Sequence, residues 1–181
     1  MILLPRPKEM QTTQESFRLT PETRIVLTPD ARLETLCAKQ LQSDLTRFAG
    51  LTLPILCGVP REGDIVLAAN PGSGEGYSLT ITHCSVQVKA PGGTPGLFYG
   101  VQTLRQIIRQ SGAVLPGLCI TDKPVFTHRG FYHDATRGRT PTLSWLRQLV
   151  DEACFYKLNQ LQLYVEHTYL FRDLTELWGV G

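Results

Sequence analysis

The chain has 181 residues, with 18 basic and 16 acidic side chains and a net charge of +2. This near balance, without a run of like charges, argues against a nucleic-acid partner. At 42% hydrophobic and 19% charged residues, the composition is that of a folded globular protein. The length allows one domain, or one domain and part of another.

The start, MILLPRPKEMQTT, has one short apolar run broken by Pro5 and Pro7. It lacks a charged lead and a small-residue cleavage site, so no signal peptide is expected. No segment reaches the ~18 uninterrupted apolar residues of a membrane span. The cysteines at 37, 57, 84, 119 and 154 are scattered, odd in number and without a C-x-x-C. Reduced thiols in a cytoplasm are expected, rather than a disulfide framework or structural zinc.

Residues 24–28, RIVLT, predict a strand stopped by Pro29 and Asp30. Leu33, Leu36, Cys37, Leu41, Leu45 and Phe48 then recur at helical spacing, with Lys39, Gln42, Asp44 and Arg47 off the stripe. Asp30 is a candidate cap and Gly50 a candidate stop. DIVLAA (64–69) predicts another strand. YSLTIT (77–82) and SVQVKA (85–90) alternate, and a turn at His83-Cys84 makes them a hairpin. Glycines in NPGSGEG and PGGTPG read as turns. The first loop precedes a strand, and the second lacks the lysine of a phosphate-binding loop. Leu97, Val101, Leu104 and Ile108 mark a second helix, and LPGLCITDKP a short strand and linker. Residues 1–124 therefore predict an α+β domain, with a mostly antiparallel sheet covered by two helices.

The pattern changes over residues 125–181. THRGFYHD (127–134) is strand-like. Thr142 or Ser144 can start a helix whose stripe is Leu146, Leu149, Val150, Ala153 and Cys154. NQLQLYVEH (159–167) alternates cleanly, with Leu161, Leu163 and Val165 on one face and Gln160, Gln162, Tyr164 and Glu166 on the other. Strand, helix and strand with short connections form a βαβ unit with parallel pairing. A polar second face fits the inside of a β/α barrel, where strand C-termini build the site. Glu166 and His167 fall at such an end, as does Asp134 on the preceding strand. A polar strand end without chemistry explains the same pattern. Arg129 fits equally a salt bridge to a neighbouring strand, and Arg137 and Arg139 fit a solvated loop. His128 and His133 point to opposite faces, so a shared metal is not expected.

Three blocks carry a resemblance. EGYSLTITHCSVQVKAPGGTPGLFYGVQTLRQII (75–108) resembles the non-catalytic N-terminal domain of family 20 glycoside hydrolases, the β-N-acetylhexosaminidases. ITDKPVFTHRGFYHDATRGR (120–139) resembles the start of their barrel, and LVDEACFYKLNQLQLYVEH (149–167) its first helix and second strand. The resemblance implies an α+β domain over 1–124. It implies the first βαβ of a truncated (β/α)8 barrel over 125–181. The implied reaction removes a terminal β-linked N-acetylglucosamine or N-acetylgalactosamine. The substrate's own 2-acetamido oxygen attacks the anomeric carbon, aided by an Asp-Glu pair. No such pair lies on a later strand here, because Asp151-Glu152 falls in the first helix, so the chain alone is expected to be inactive. The resemblance makes Arg129 the arginine that holds sugar hydroxyls, and Asp134 and Arg137 strand-end supports. The usual His-x-His-x-x-Asp-Asp of the second strand is replaced around Glu166 and His167. No cofactor and no metal are implied. Open barrel edges predict self-association. A stand-alone carbohydrate-binding or interaction module, or the front of another glycosidase with a similar leading domain, are the alternatives.

Overall fold

The computed structural model describes residues 1–28, 31, 35–138 and 140–166. The predicted cap at Asp30, Leu33 of the first stripe, Arg139 and His167 lie outside them. The chain divides after Val125 into two compact units.

The first unit holds seven strands: β1 (Glu9–Arg18), β2 (Ile25–Leu27), β3 (Ile55–Cys57), β4 (Ile65–Ala69), β5 (Tyr77–Ile81), β6 (Val86–Ala90) and β7 (Val114–Asp122). They form one sheet in the order β1-β7-β5-β6-β4-β2-β3. Pairing is antiparallel from β1 to β6, which includes the predicted hairpin, and parallel from β6 through β4 and β2 to β3. The antiparallel part carries the larger share of the paired residues. Two strands escape the sequence pattern, and both are edges. β1 reads EMQTTQESFR and buries only Phe17, because an edge strand has little to cover. β3 has three residues, too few for a period.

Register builds the core. Ile120, Leu79, Val88, Leu67 and Leu27 lie side by side across five strands, and all are buried. Each such side chain removed from water contributes about 1.5–3 kcal/mol. The alternate positions, such as Ser78, Thr80, Gln87 and Lys89, stay partly or fully exposed. Helices α1 (Thr35–Asp44) and α2 (Thr94–Ser111) cover the apolar face. The predicted α2 stripe of Leu97, Val101, Leu104 and Ile108 is fully buried.

Helix α1 corrects the sequence reading twice. Leu36 is 63% exposed, because the face that packs is the row Cys37, Leu41 and Leu45 with Ala38. Asp44, placed off the stripe, is buried. Two arginines of α2 draw it in: Arg105 Nε donates to Asp44 Oδ2 at 2.7 Å, and Arg109 donates to both oxygens at 3.1 and 3.2 Å. A π-helical turn over Leu45–Ala49 follows, and Gly50, at φ 70°, ends it as expected.

A second buried carboxylate, Asp64, precedes β4. Arg24 Nε and Nη2 donate to it at 2.9 and 2.6 Å, and the Arg61 amide donates at 2.7 Å. Burial alone would raise its pKa. The Arg24 hydrogen bonds and the Arg61 amide outweigh burial, so the value lies below the ordinary one.

The second unit contains β8 (Gly130–Asp134), α3 (Leu143–Phe155) and β9 (Gln160–Tyr164). β8 and β9 pair in parallel, from Gly130 beside Gln160 to Asp134 beside Tyr164. Thr142 starts α3, its hydroxyl accepting from Trp145 N at 3.2 Å. Val150 of the predicted stripe is 42% exposed, and Leu163 of β9 is 39% exposed.

Two stability outcomes follow. Asp44→Ala leaves Arg105 without its carboxylate and costs about 3 kcal/mol, measured by urea denaturation. Asp64 has a lowered folded pKa, so its contribution is complete above the unfolded value, about 3.9, and fades as pH falls through the folded one. Asp64→Asn is therefore less stable than the native chain at pH 7, and the gap narrows below about pH 4. An unchanged gap across that range would contradict the assignment.

Candidate functional site

β8 and β9 present two different faces. His133 lies 4.9 Å from the Trp145 ring of α3 and stacks on Phe131 at 6.3 Å, which makes theirs the helix side. Tyr132, Asp134 and Tyr164 occupy the other side, with the two tyrosine rings 6.1 Å apart. That second face carries the polar side chains.

Asp134 ends β8 and organises the loop after it. Its Oδ1 accepts from the amides of Thr136 and Arg137 at 2.9 and 3.0 Å. Those two amides, more than any charge, hold its pKa below the ordinary value. The loop is tied to β9 as well. Ala135 N donates to Tyr164 O at 2.9 Å, and Thr136 Oγ1 donates to the same carbonyl at 3.3 Å.

Arg137 is thereby placed over β9. Its guanidinium carbon sits 5.3 Å from the centre of the Tyr164 ring, and Nη2 donates to Tyr164 Oη at 3.4 Å. Tyr164 Oη in turn donates to Glu166 Oε1 at 3.0 Å. Arg137 also pairs with Asp134 at 3.9 Å and with Glu166 at 3.8 Å. Glu166 has φ 47°, a left-handed backbone that few non-glycine residues adopt. Glu166 and Arg137 are exposed, at 37% and 70% of their side chains. The result is a cluster of four polar groups at the C-terminal ends of two parallel strands. It offers carboxylate acceptors and a fixed guanidinium fork, which suit the hydroxyls of a polyol.

Arg129 is not part of that cluster. It precedes β8, at the opposite end of the strand and ~16 Å from Asp134 by strand rise. Its Nε donates to the Lys157 carbonyl at 2.9 Å and its Nη1 to the Phe126 carbonyl at 2.7 Å. Asn159 reinforces this end: its Oδ1 accepts from Arg129 N at 2.9 Å, and its Nδ2 donates to Thr127 O at 2.8 Å. Lys157 and Asn159 thus staple the two strand starts together. Tyr164 is the member that sequence reading left out of the site. Its signal was only its place on the polar face of an alternating strand. Among the described residues, no group of three His, Cys, Asp or Glu side chains could hold a metal ion.

Comparison with known proteins adds the family. The model of glycosyl hydrolase family 20, domain 2, matches residues 1–123. The chain belongs to glycosyl hydrolase family 20. Family 20 relatives cover most of its length. A β-hexosaminidase of Porphyromonas gingivalis is 27% identical, over 94% of this chain and 23% of its own. One of Vibrio furnissii is 31% identical, over 87% of this chain and 25% of its own. The chain thus spans about a quarter of the length of these relatives. Among solved structures, the GH20 β-N-acetylhexosaminidase of Streptomyces coelicolor A3(2) superposes with a TM-score of 0.76 at 27% identity, covering 88% of this chain and 34% of that one. A mutant Streptomyces plicatus β-hexosaminidase, solved in complex with its product GlcNAc, gives 0.73 at 26%, covering 91% and 34%.

The polar cluster has a measurable signature. Glu166, hydrogen-bonded to the phenol, raises the Tyr164 pKa above the ordinary value, with a smaller push from desolvation. Glu166→Gln should bring that titration down, followed by NMR of ring-labelled tyrosine and assigned by Tyr164→Phe. A Tyr164 titration that does not respond to Glu166→Gln would contradict the contact.

Proposed function

We propose that the whole protein removes terminal β-linked N-acetylhexosamine from glycans, and that this chain is its leading portion. The observation that carries the reading is the parallel β8-α3-β9 unit directly after the family 20 domain, with its polar groups at the strand C-termini. That is where a β/α barrel builds its site. The names of the relatives, and the GlcNAc held by the Streptomyces plicatus enzyme, support the same substrate class. In this reading the nucleophile is the substrate's own acetamido oxygen, and the Asp-Glu pair that assists it lies outside these 181 residues. Asp134 shapes the rim of the pocket. Arg137, Tyr164 and Glu166 border it.

Arg129 is the proposed contact to hydroxyls of the terminal sugar. Its anchoring to the main-chain carbonyls of Lys157, Phe126 and Thr127 holds the guanidinium in one plane, which two-oxygen recognition needs. Hydrolysis of aryl β-N-acetylglucosaminide and β-N-acetylgalactosaminide by this chain and by its full-length parent tests the reading. The parent should turn over at least one substrate, and this chain neither. A parent inactive on both would overturn it. In an active parent, Arg129→Ala should cut kcat/KM by about a hundredfold, the loss of a charged hydrogen-bonding clamp.

Alone, the chain is proposed to self-associate. Among the described residues, β8 and β9 pair only with each other. Phe131, Tyr132, Leu143, Trp145 and Leu163 are exposed around them. Unpaired edges beside apolar surface recruit further strands. Sedimentation velocity should show concentration-dependent species heavier than the monomer. A single monomeric boundary at high concentration would count against the proposal.

A further inference from the structure

The extended start of the chain is held against α2 by two glutamines one helical turn apart. Gln110 Oε1 accepts from Ile2 N at 2.8 Å, and its Nε2 donates to Ile2 O at 2.7 Å. Gln106 treats Leu4 in the same way, accepting from its N at 2.8 Å and donating to its O at 2.7 Å. Each side-chain amide therefore acts as the peptide group of a neighbouring strand would.

The spacing explains why this works. Residues four apart on a helix are separated by ~6 Å along its axis. Residues two apart on an extended chain are separated by ~6.7 Å. The two ladders match to within the reach of a glutamine side chain. The segment runs against the helix direction, with residue 2 on Gln110 and residue 4 on Gln106. Alternation then sends one side chain inward: Leu3 is 7% exposed and joins the core, while Ile2 and Leu4 are 72% and 53% exposed. Gln106 is itself buried at 5%, so the two bonds of its amide to Leu4 are made away from water. The glycosidase reading makes no use of this arrangement.

We propose that Gln106 and Gln110 form a binding site for an extended peptide main chain, filled in cis by residues 1–4. The site reads backbone rather than side chains, apart from one aliphatic pocket taken by Leu3. It accepts any extended segment that offers an aliphatic side chain there and a free N–H and C=O on either side. The residues at positions 2 and 4 are of no consequence to it.

Hydrogen exchange on the full 181-residue chain tests the site in cis. The Ile2 and Leu4 amides should be protected. Gln110→Leu should weaken Ile2, and Gln106→Leu should weaken Leu4, by about tenfold each, with Leu79 and Val88 unchanged. Leu3→Asp should release both amides, and Ile2→Asp neither. A labelled peptide of residues 1–7 tests the site in trans. It should bind the Leu3→Asp chain, whose site is vacated, and not the native chain. Unprotected Ile2 and Leu4 amides in the native chain would overturn the proposal. So would equal effects of Leu3→Asp and Ile2→Asp. So would failure of the peptide to bind a Leu3→Asp chain whose core amides remain protected.

Discussion

The close approach of α2 to the sheet is the constraint on which the first unit rests. At two positions of the helix no side chain fits. A Cβ on Gly96 would collide with the Gly76 carbonyl, and one on Gly100 with the Val88 side chain. With those two glycines the helix axis drops onto β5 and β6, and Leu97, Val101 and Leu104 lose all contact with water. The same approach buries polar groups, which must then be paired. Tyr77 Oη lies 2.7 Å from Thr103 Oγ1 and donates to Asp122 at 2.9 Å, and burial, ahead of the nearby carboxylate, lifts its pKa far above the usual range. Asp44 meets Arg105 and Arg109, and Gln106 meets the chain's own start. One geometric decision in the G-L-F-Y-G block thus dictates a set of compensations spread over a hundred residues.

What the sequence made legible follows from where each element sits. Central strands and the long helix bury one face each, so their periods are clean and their expected places hold. Edge strands bury almost nothing, and β1 and β3 left no period to read. The parallel half of the sheet was invisible for a different reason: strand direction depends on the crossovers that join strands, and the period of a single strand does not report it. Asp44 shows the limit of a hydropathy stripe. Its burial depends on two arginines sixty residues later, and no local window contains them.

The strand-end groups divide along the same line. Asp134 accepts from the amides two and three residues on, a contact set by local sequence. Arg137 was read as a loop residue and is one, but its target on β9 is long-range. Tyr164 escaped notice because an alternating strand says which residues share a face and not which of them meet. Arg129 lies at the far end of the strand, and its bonds to main-chain carbonyls belong to the stapling of strand starts by Asn159. A family match assigns a residue its counterpart. Only coordinates show which neighbours hold it.

The two ends of the β8-β9 pair differ in how they are built, and the difference bears on function. At the start, side chains bind main chain: Arg129 and Asn159 are each committed to carbonyls and amides, an arrangement that fixes strand registry. At the C-terminal end, side chains bind side chains: Arg137, Tyr164 and Glu166 hold one another while remaining accessible. Hydrogen bonds between exposed side chains cost little to exchange for a ligand's hydroxyls, whereas bonds to the main chain at the strand starts do not exchange without loosening the strand registry. The left-handed backbone at Glu166 adds to the contrast, since strain of that kind is retained where a side chain must be aimed. The two ends of the unit therefore differ in kind: at the start Arg129 is held by main chain in one orientation, whereas at the C-terminal end the side chains hold one another and can exchange partners.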